Sequence, residues 1–84
     1  MISQESKSVI ERAKLIYQER LRANLERDNY GQYVSIEPDS GEYFLGESFD
    51  QAVDAALERF PDRLSHTIRV GHTAAFHLGV LELV

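Results

Sequence analysis

From Ser6 to Asp28 the apolar residues Val9, Ile10, Ala13, Ile16, Tyr17, Leu21 and Leu25 return every three or four positions. That spacing gathers side chains on one broad face of an α-helix. Ser3 or Ser6 can cap its start, Glu11 and Lys14 are neighbours on its surface, and Asn29-Tyr30-Gly31 supplies a stop in which glycine can take positive φ. Leu15 falls off the apolar face and is a candidate contact to a partner. After Gly31 the period changes to two. Tyr33–Glu37 and Glu42–Gly46 flank Pro38-Asp39-Ser40-Gly41, whose residue types all favour turns, so a β-hairpin is expected. Pairing Glu37 with Glu42 places Val34, Ile36, Tyr43 and Leu45 on one face and Tyr33, Ser35 and Phe44 on the other.

Ser48-Phe49-Asp50-Gln51 has the form of a capping box and opens a second helix. Phe49, Ala52, Val53, Ala56, Leu57 and Phe60 form its apolar stripe, Asp50 and Asp54 suit its positive N-terminal end, and Pro61 stops it. Two further β-like runs, Leu64 to Val70 and Ala74 to Leu83, are separated by Gly71-His72-Thr73 and predict a second hairpin. The expectation is one α+β domain over residues 1–84. A long amphipathic helix (1–30) precedes a ββαββ body (31–84), an antiparallel sheet with helices packed on it.

Composition narrows the class. A chain with 43% hydrophobic and 27% charged residues and only two prolines is that of a folded protein. The absence of cysteine excludes a disulfide framework and a thiolate zinc site, and fits a reducing cytoplasm. The near-apolar stretch Ala74 to Leu81 is broken by His77 and too short to span a bilayer, so no membrane role is expected. Residues 1–30 carry six basic and five acidic side chains, residues 31–84 three and nine. The body is acidic, and Arg12, Lys14, Arg20, Arg22 and Arg27 scatter around the first helix, which disfavours nucleic-acid binding.

His66, His72 and His77 are the only metal-like cluster. A two-residue loop at Gly71-His72 would bring His66 opposite His77. A three-residue loop would pair Ile68 with Phe76 and His66 with Leu78, matching apolar with apolar, and this register is the expected one. It leaves His66 and His77 on opposite faces and predicts neither metal nor other cofactor. Glu37, Asp39, Ser40 and Glu42 lack the density of a calcium loop and read as a turn. Ser65-His66 and His72-Thr73 cannot form dyads, because neighbouring strand residues point to opposite faces. With no nucleophile elbow, phosphate loop or dinucleotide fingerprint, the chain is not expected to be an enzyme.

Tyr30, Tyr33, Tyr43 and Phe44 gather around the first hairpin, as strand packing or as a recognition surface. The tail carrying Leu78, Val80, Leu81 and Leu83 is rich in β-formers, has one charge, and is either a covered central strand or a dimer seam.

Gly31-Gln32-Tyr33-Val34-Ser35-Ile36, Asp39-Ser40-Gly41-Glu42-Tyr43, the helix ending Arg59-Phe60-Pro61-Asp62, and Arg69-Val70-Gly71 stand in that order. Over about residues 12–80 the chain resembles a widespread group of small bacterial proteins, many cyanobacterial, with the pattern G-x-[YFW]-V-x-I-x-x-x-[ST]-G-[DE]-Y … R-[VI]-G. The group has no assigned enzymatic activity or mapped site, so the resemblance carries over no functional residue. It implies a regulator–partner or toxin–antitoxin-like arrangement, since some members are encoded beside aspartic-protease-like proteins. The apolar tail after Gly79 departs from the group.

The functional expectation is a non-catalytic protein-interaction module, antitoxin-like or regulatory, homodimeric or bound to a protein partner through Tyr33, Tyr43, Phe44, Leu78, Val80, Leu81 and Leu83. Its rival is a small-ligand or metal-binding domain using His66, His72 and His77.

Overall fold

The computed structural model describes residues 4–72. The chain opens with a long helix made of α1 (Gln4–Ile16), a π-helical turn (Tyr17–Leu21) and α2 (Arg22–Asp28). It continues through β1 (Tyr33–Glu37), β2 (Glu42–Gly46), α3 (Phe49–Arg59) and β3 (His66–Arg69). The three strands form one antiparallel sheet in the order β2-β1-β3.

The π turn follows from the spacing of the buried residues. Val9, Ala13, Tyr17, Leu21 and Leu25 are all buried and stand four residues apart. In a regular α-helix each four-residue step overshoots a full turn by about 40°, so four steps would carry Leu25 roughly 160° away from Val9. A π turn holds one extra residue and returns roughly 100° of that drift. Here it is closed by the Arg22 amide donating to the Tyr17 carbonyl, five residues back. The stripe thereby stays on the sheet.

Val34 and Ile36 of β1, Ile68 of β3 and Val70 meet Ala13, Tyr17, Leu21 and Leu25 in the main core, with Ile16 and Leu45 at its margin. The first hairpin has the expected register, with Glu37 opposite Glu42 and Val34 opposite Leu45. Its opposite face lies against α3, whose fully buried positions are the small Ala52 and Ala56. Small side chains let the helix approach closely, and Gly46 completes the fit: a Cβ there would lie 2.5 Å from the Ala52 nitrogen. Ser48 caps α3 by accepting from the Gln51 amide at 3.2 Å, and the Gln51 side chain accepts in turn from the Glu47 amide at 2.9 Å, one residue before the position expected of a capping box.

Three strands are described, so the expected ββαββ body is seen as ββαβ. The expected fourth strand, Ala74 to Leu83, lies outside the described residues. The turn after β3 also falls earlier than the two- or three-residue loops considered from the sequence. The Arg69 carbonyl accepts from the His72 amide at 3.1 Å, which makes Val70 and Gly71 the two central residues. Gly71 has φ 85°, the left-handed value that the third position of a type II turn requires.

Candidate interaction surface

β3 is an edge of the described sheet, and its backbone alternates between two duties. Val70 bonds inward, donating to Gln32 O at 2.7 Å and accepting from Gly31 N at 3.0 Å. Alternation along a strand then turns the amides and carbonyls of Thr67 and Arg69 outward, away from β1. Arg69 spends its outward carbonyl on the turn to His72. The outward backbone of Thr67 has no hydrogen-bond partner among the described residues.

The turn that ends this edge is anchored to the helix. The Tyr17 hydroxyl accepts from the Gly71 amide at 3.3 Å and donates to Glu26 Oε2 at 2.9 Å. Glu26 is held by Arg22 at 3.2 Å. Burial, reinforced by the neighbouring Glu26, pushes the Tyr17 phenol above its usual pKa even though the Gly71 bond works the other way. His72 packs on Tyr30 with ring centroids 5.3 Å apart. A Cβ at Gly71 would meet the Tyr30 ring at 2.3 Å, so a side chain there would displace this exposed tyrosine as well as straining the positive φ. Glu26 was not singled out from the sequence and Tyr17 was read only as part of the apolar stripe; the polar end of a tyrosine on that stripe was the available signal.

The far end of the sheet is organised by Glu37. Its side chain is buried, and its two oxygens accept from the Asp39 amide at 2.9 Å, the Ser40 amide at 2.9 Å and Arg63 Nη1 at 3.2 Å. Burial works to raise its pKa, but these donors and the Ser40 hydroxyl outweigh it and hold the carboxyl below the ordinary glutamate value. The carboxylate of the would-be calcium loop is thus engaged by protein donors, as a turn requires. Arg12 reaches Asp39 at 2.7 Å and Arg59 reaches Glu42 at 3.5 Å. Both pairs are exposed at the surface, where ion pairs contribute little.

The histidines are apart. His66 opens β3 opposite Ile36, half-buried, and burial together with the Lys14 charge lowers its pKa. His72 lies beyond the other end of that strand, and His77 lies outside the described residues. Among the described residues no three His, Cys, Asp or Glu side chains converge to hold a metal.

The aromatic set divides between the two faces. Tyr33 meets Phe49 edge-on at 6.3 Å, and Phe44 meets Phe60 edge-on at 6.2 Å, so both are engaged on the α3 side. Tyr43, opposite Ile36, is exposed on the other side. Leu15, Leu57 and Leu64 are exposed as well. Leu78, Val80, Leu81 and Leu83 lie outside the described residues. A shallow open depression along α3 is lined by Gln51, Asp54, Ala55, Leu57 and Glu58. No helix among the described residues is long and apolar enough to cross a membrane.

An α+β domain with a helix on each face of a three-stranded antiparallel sheet is the class these observations define. Compared with family models, curated proteins and solved structures, the chain matches none.

Proposed function

We propose that the chain is a non-catalytic protein-interaction module of the cytoplasm, antitoxin-like or regulatory, that works as a homodimer or on a protein partner. The observation that carries this reading is the outer edge of β3. Its outward backbone at Thr67 lacks a partner among the described residues, and the sequence beyond it is a run of β-forming residues. An unpaired strand edge is a template for pairing with another strand. In the finer form of the proposal, Ala74 to Leu83 is a fourth strand completing a ββαββ body, and Leu78, Val80, Leu81 and Leu83 form the contact surface. Tyr43, exposed on β2, is a second candidate contact.

Solution mass by light scattering across a hundredfold concentration range tests it, on the full chain and on a chain truncated after Gly79. The expected result is a dimer that truncation converts into a folded monomer. A full-length chain that stays monomeric at every concentration and retains no protein partner would overturn the reading.

A further inference from the structure

We infer that the outer edge of β2 is a contact between copies of this chain, in which two β2 strands pair antiparallel about a two-fold axis at Phe44. β2 lies at the opposite edge of the sheet from β3. The inference therefore rests on the homodimer form of the interaction reading and adds a second, lighter seam to it.

The backbone settles which groups are available. Val70 bonds to Gln32, and the pairing of β3 with β1 alternates from there, so Gln32, Val34 and Ile36 turn their backbone groups toward β3. Tyr33, Ser35 and Glu37 then face β2, where they meet Gly46, Phe44 and Glu42. Tyr43 and Leu45 are left with amides and carbonyls pointing outward. Neither has a further backbone partner among the described residues. α1 packs on β1 and β3, which leaves the β2 half of that face open, and Tyr43 is 43% exposed there.

Charge selects the occupant. Around the hairpin turn each carboxylate is engaged, Glu37 by Arg63, Asp39 by Arg12 and Glu42 by Arg59. Arg20 reaches the same turn, its Nη1 3.3 Å from where a Cβ on Gly41 would stand, yet it has no hydrogen bond or ion pair among the described residues. At the other end of β2 a Cβ on Gly46 would point into α3, so alternation turns the Glu47 side chain to the α1 side. Glu47 is exposed, and its carboxylate too has no ion pair among the described residues. A free cation and a free carboxylate thus bracket Tyr43 and Leu45 on one face.

A second copy running antiparallel satisfies both. With Phe44 opposite Phe44 of the second copy, Tyr43 faces Leu45 and Leu45 faces Tyr43, and each of these pairs exchanges two backbone bonds. Gly41, with Arg20 upon it, then faces Glu47 of the second copy, and the two-fold axis repeats that pair at the other end. Centring the strands on Tyr43 sets Leu45 against Gly41, and centring them on Leu45 sets Tyr43 against Glu47. Neither joins the two charges. With two outward residues per copy the contact is a brief one, so chemical trapping reads it better than solution mass does.

The chain has no native cysteine, so single cysteines read the register directly. Phe44 bonds inward to β1, and opposite its own copy it forms a non-hydrogen-bonded pair with Cα atoms about 4.5 Å apart, within disulfide range. We would place one cysteine per chain, as Tyr43→Cys, Phe44→Cys, Leu45→Cys or, on the exposed surface of α3, Asp54→Cys, and follow oxidation by intact mass. The expected result is a disulfide between chains that forms fastest in Phe44→Cys, about tenfold faster than in Asp54→Cys. Fastest closure at residue 43 or 45 would overturn the register. Closure at residue 44 no faster than at residue 54 would overturn the seam.

Charge exchange and the unaltered chain guard against loosened variants. Within Phe44→Cys, Arg20→Glu should slow closure several-fold and the further change Glu47→Arg should restore it; a rate indifferent to both would sink the charge pairing. On the unaltered chain the Tyr43 and Leu45 amides should exchange more slowly as concentration rises, and a rate independent of concentration would remove the seam. A dimer by light scattering without the residue-44 disulfide keeps the interaction reading and removes this contact. That disulfide in a chain whose mass never exceeds the monomer does the reverse.

Discussion

The Tyr17 hydroxyl bonds to the Gly71 amide at 3.3 Å across 54 residues of sequence, joining the π turn of the first helix to the turn that ends β3. The same hydroxyl donates to Glu26, so one buried oxygen fixes two turns of helix and the exit of the sheet. Tyr17→Phe keeps the ring in the core and deletes only this oxygen. The partners Gly71 and Glu26 are only part-buried, and Glu26 keeps its pair with Arg22, so losing the two bonds costs about 0.5–1.5 kcal/mol. For a domain of this size each kcal/mol lowers the melting temperature by roughly 4–8 °C. Thermal and urea unfolding should both show the loss; a change below a few tenths of a kcal/mol would mean that the bond contributes nothing net.

Glu37 makes stability depend on acid. Its folded pKa lies below the ordinary value of 4.5, so its contribution is complete above that value and disappears as pH falls through the folded pKa. Glu37→Gln places an amide nitrogen against one of the turn's own donors, Asp39 or Ser40 N–H, and weakens the Arg63 contact. The variant should lose about 1–3 kcal/mol at pH 7, by the cost of an unmatched buried group. The gap between the two proteins should then narrow as pH falls below 4.5. Urea titrations at pH 7, 5 and 3 would reveal it, and a gap that stays constant would show that the ionised carboxylate is not responsible.

Much of this architecture was legible because local chemistry and global fold agree. The hairpin register followed from period-two alternation and a turn made of turn-forming residues, and Glu37 does pair with Glu42. The Ser48 cap and the helix it opens were readable for the same reason. The π turn was less so: the four-residue repeat was visible, but it became diagnostic only once the sheet showed that every member had to face one way. The Val70-Gly71 turn was not legible because its backbone is fixed by Tyr17 and Gln32 from elements far away in sequence, while the hairpin pairing expected beyond it involves residues outside the described ones. The buried role of Glu37 was hidden too, since the Arg63 that meets it comes 26 residues later.

Gly46 is constrained by proximity to α3. A Cβ at this position would press on the backbone of Ala52 at 2.5 Å and on Gln51 Cβ at 2.8 Å, neither of which can swing aside as a flexible side-chain tip could. Gly46→Ala should therefore force β2 away from the start of α3 at a cost of about 1–3 kcal/mol, the range for overpacking a close contact. Unfolding in urea measures the cost. Ala52→Gly in the same chain should not restore it, because the clash is with backbone; full restoration would show that side chains set the spacing.

Removing Glu19, an exposed residue within the π turn, tests the account of the helix. Deleting a residue from the middle of an α-helix ordinarily rotates everything on one side of it by about 100° and takes an apolar stripe off its sheet. Here the deletion brings Tyr17 and Leu21 to a three-residue spacing, which reverses part of the accumulated drift. A regular α-helix would then present Val9, Ala13, Tyr17, Leu21 and Leu25 to the sheet with no π turn needed. The shortened chain should keep cooperative unfolding and fall within about 1 kcal/mol of the parent, because the π turn makes no core contact that a continuous α-helix would lack. Urea unfolding and far-ultraviolet circular dichroism would report both properties. Loss of cooperativity would mean that the extra residue holds the helix in place for a reason other than phase.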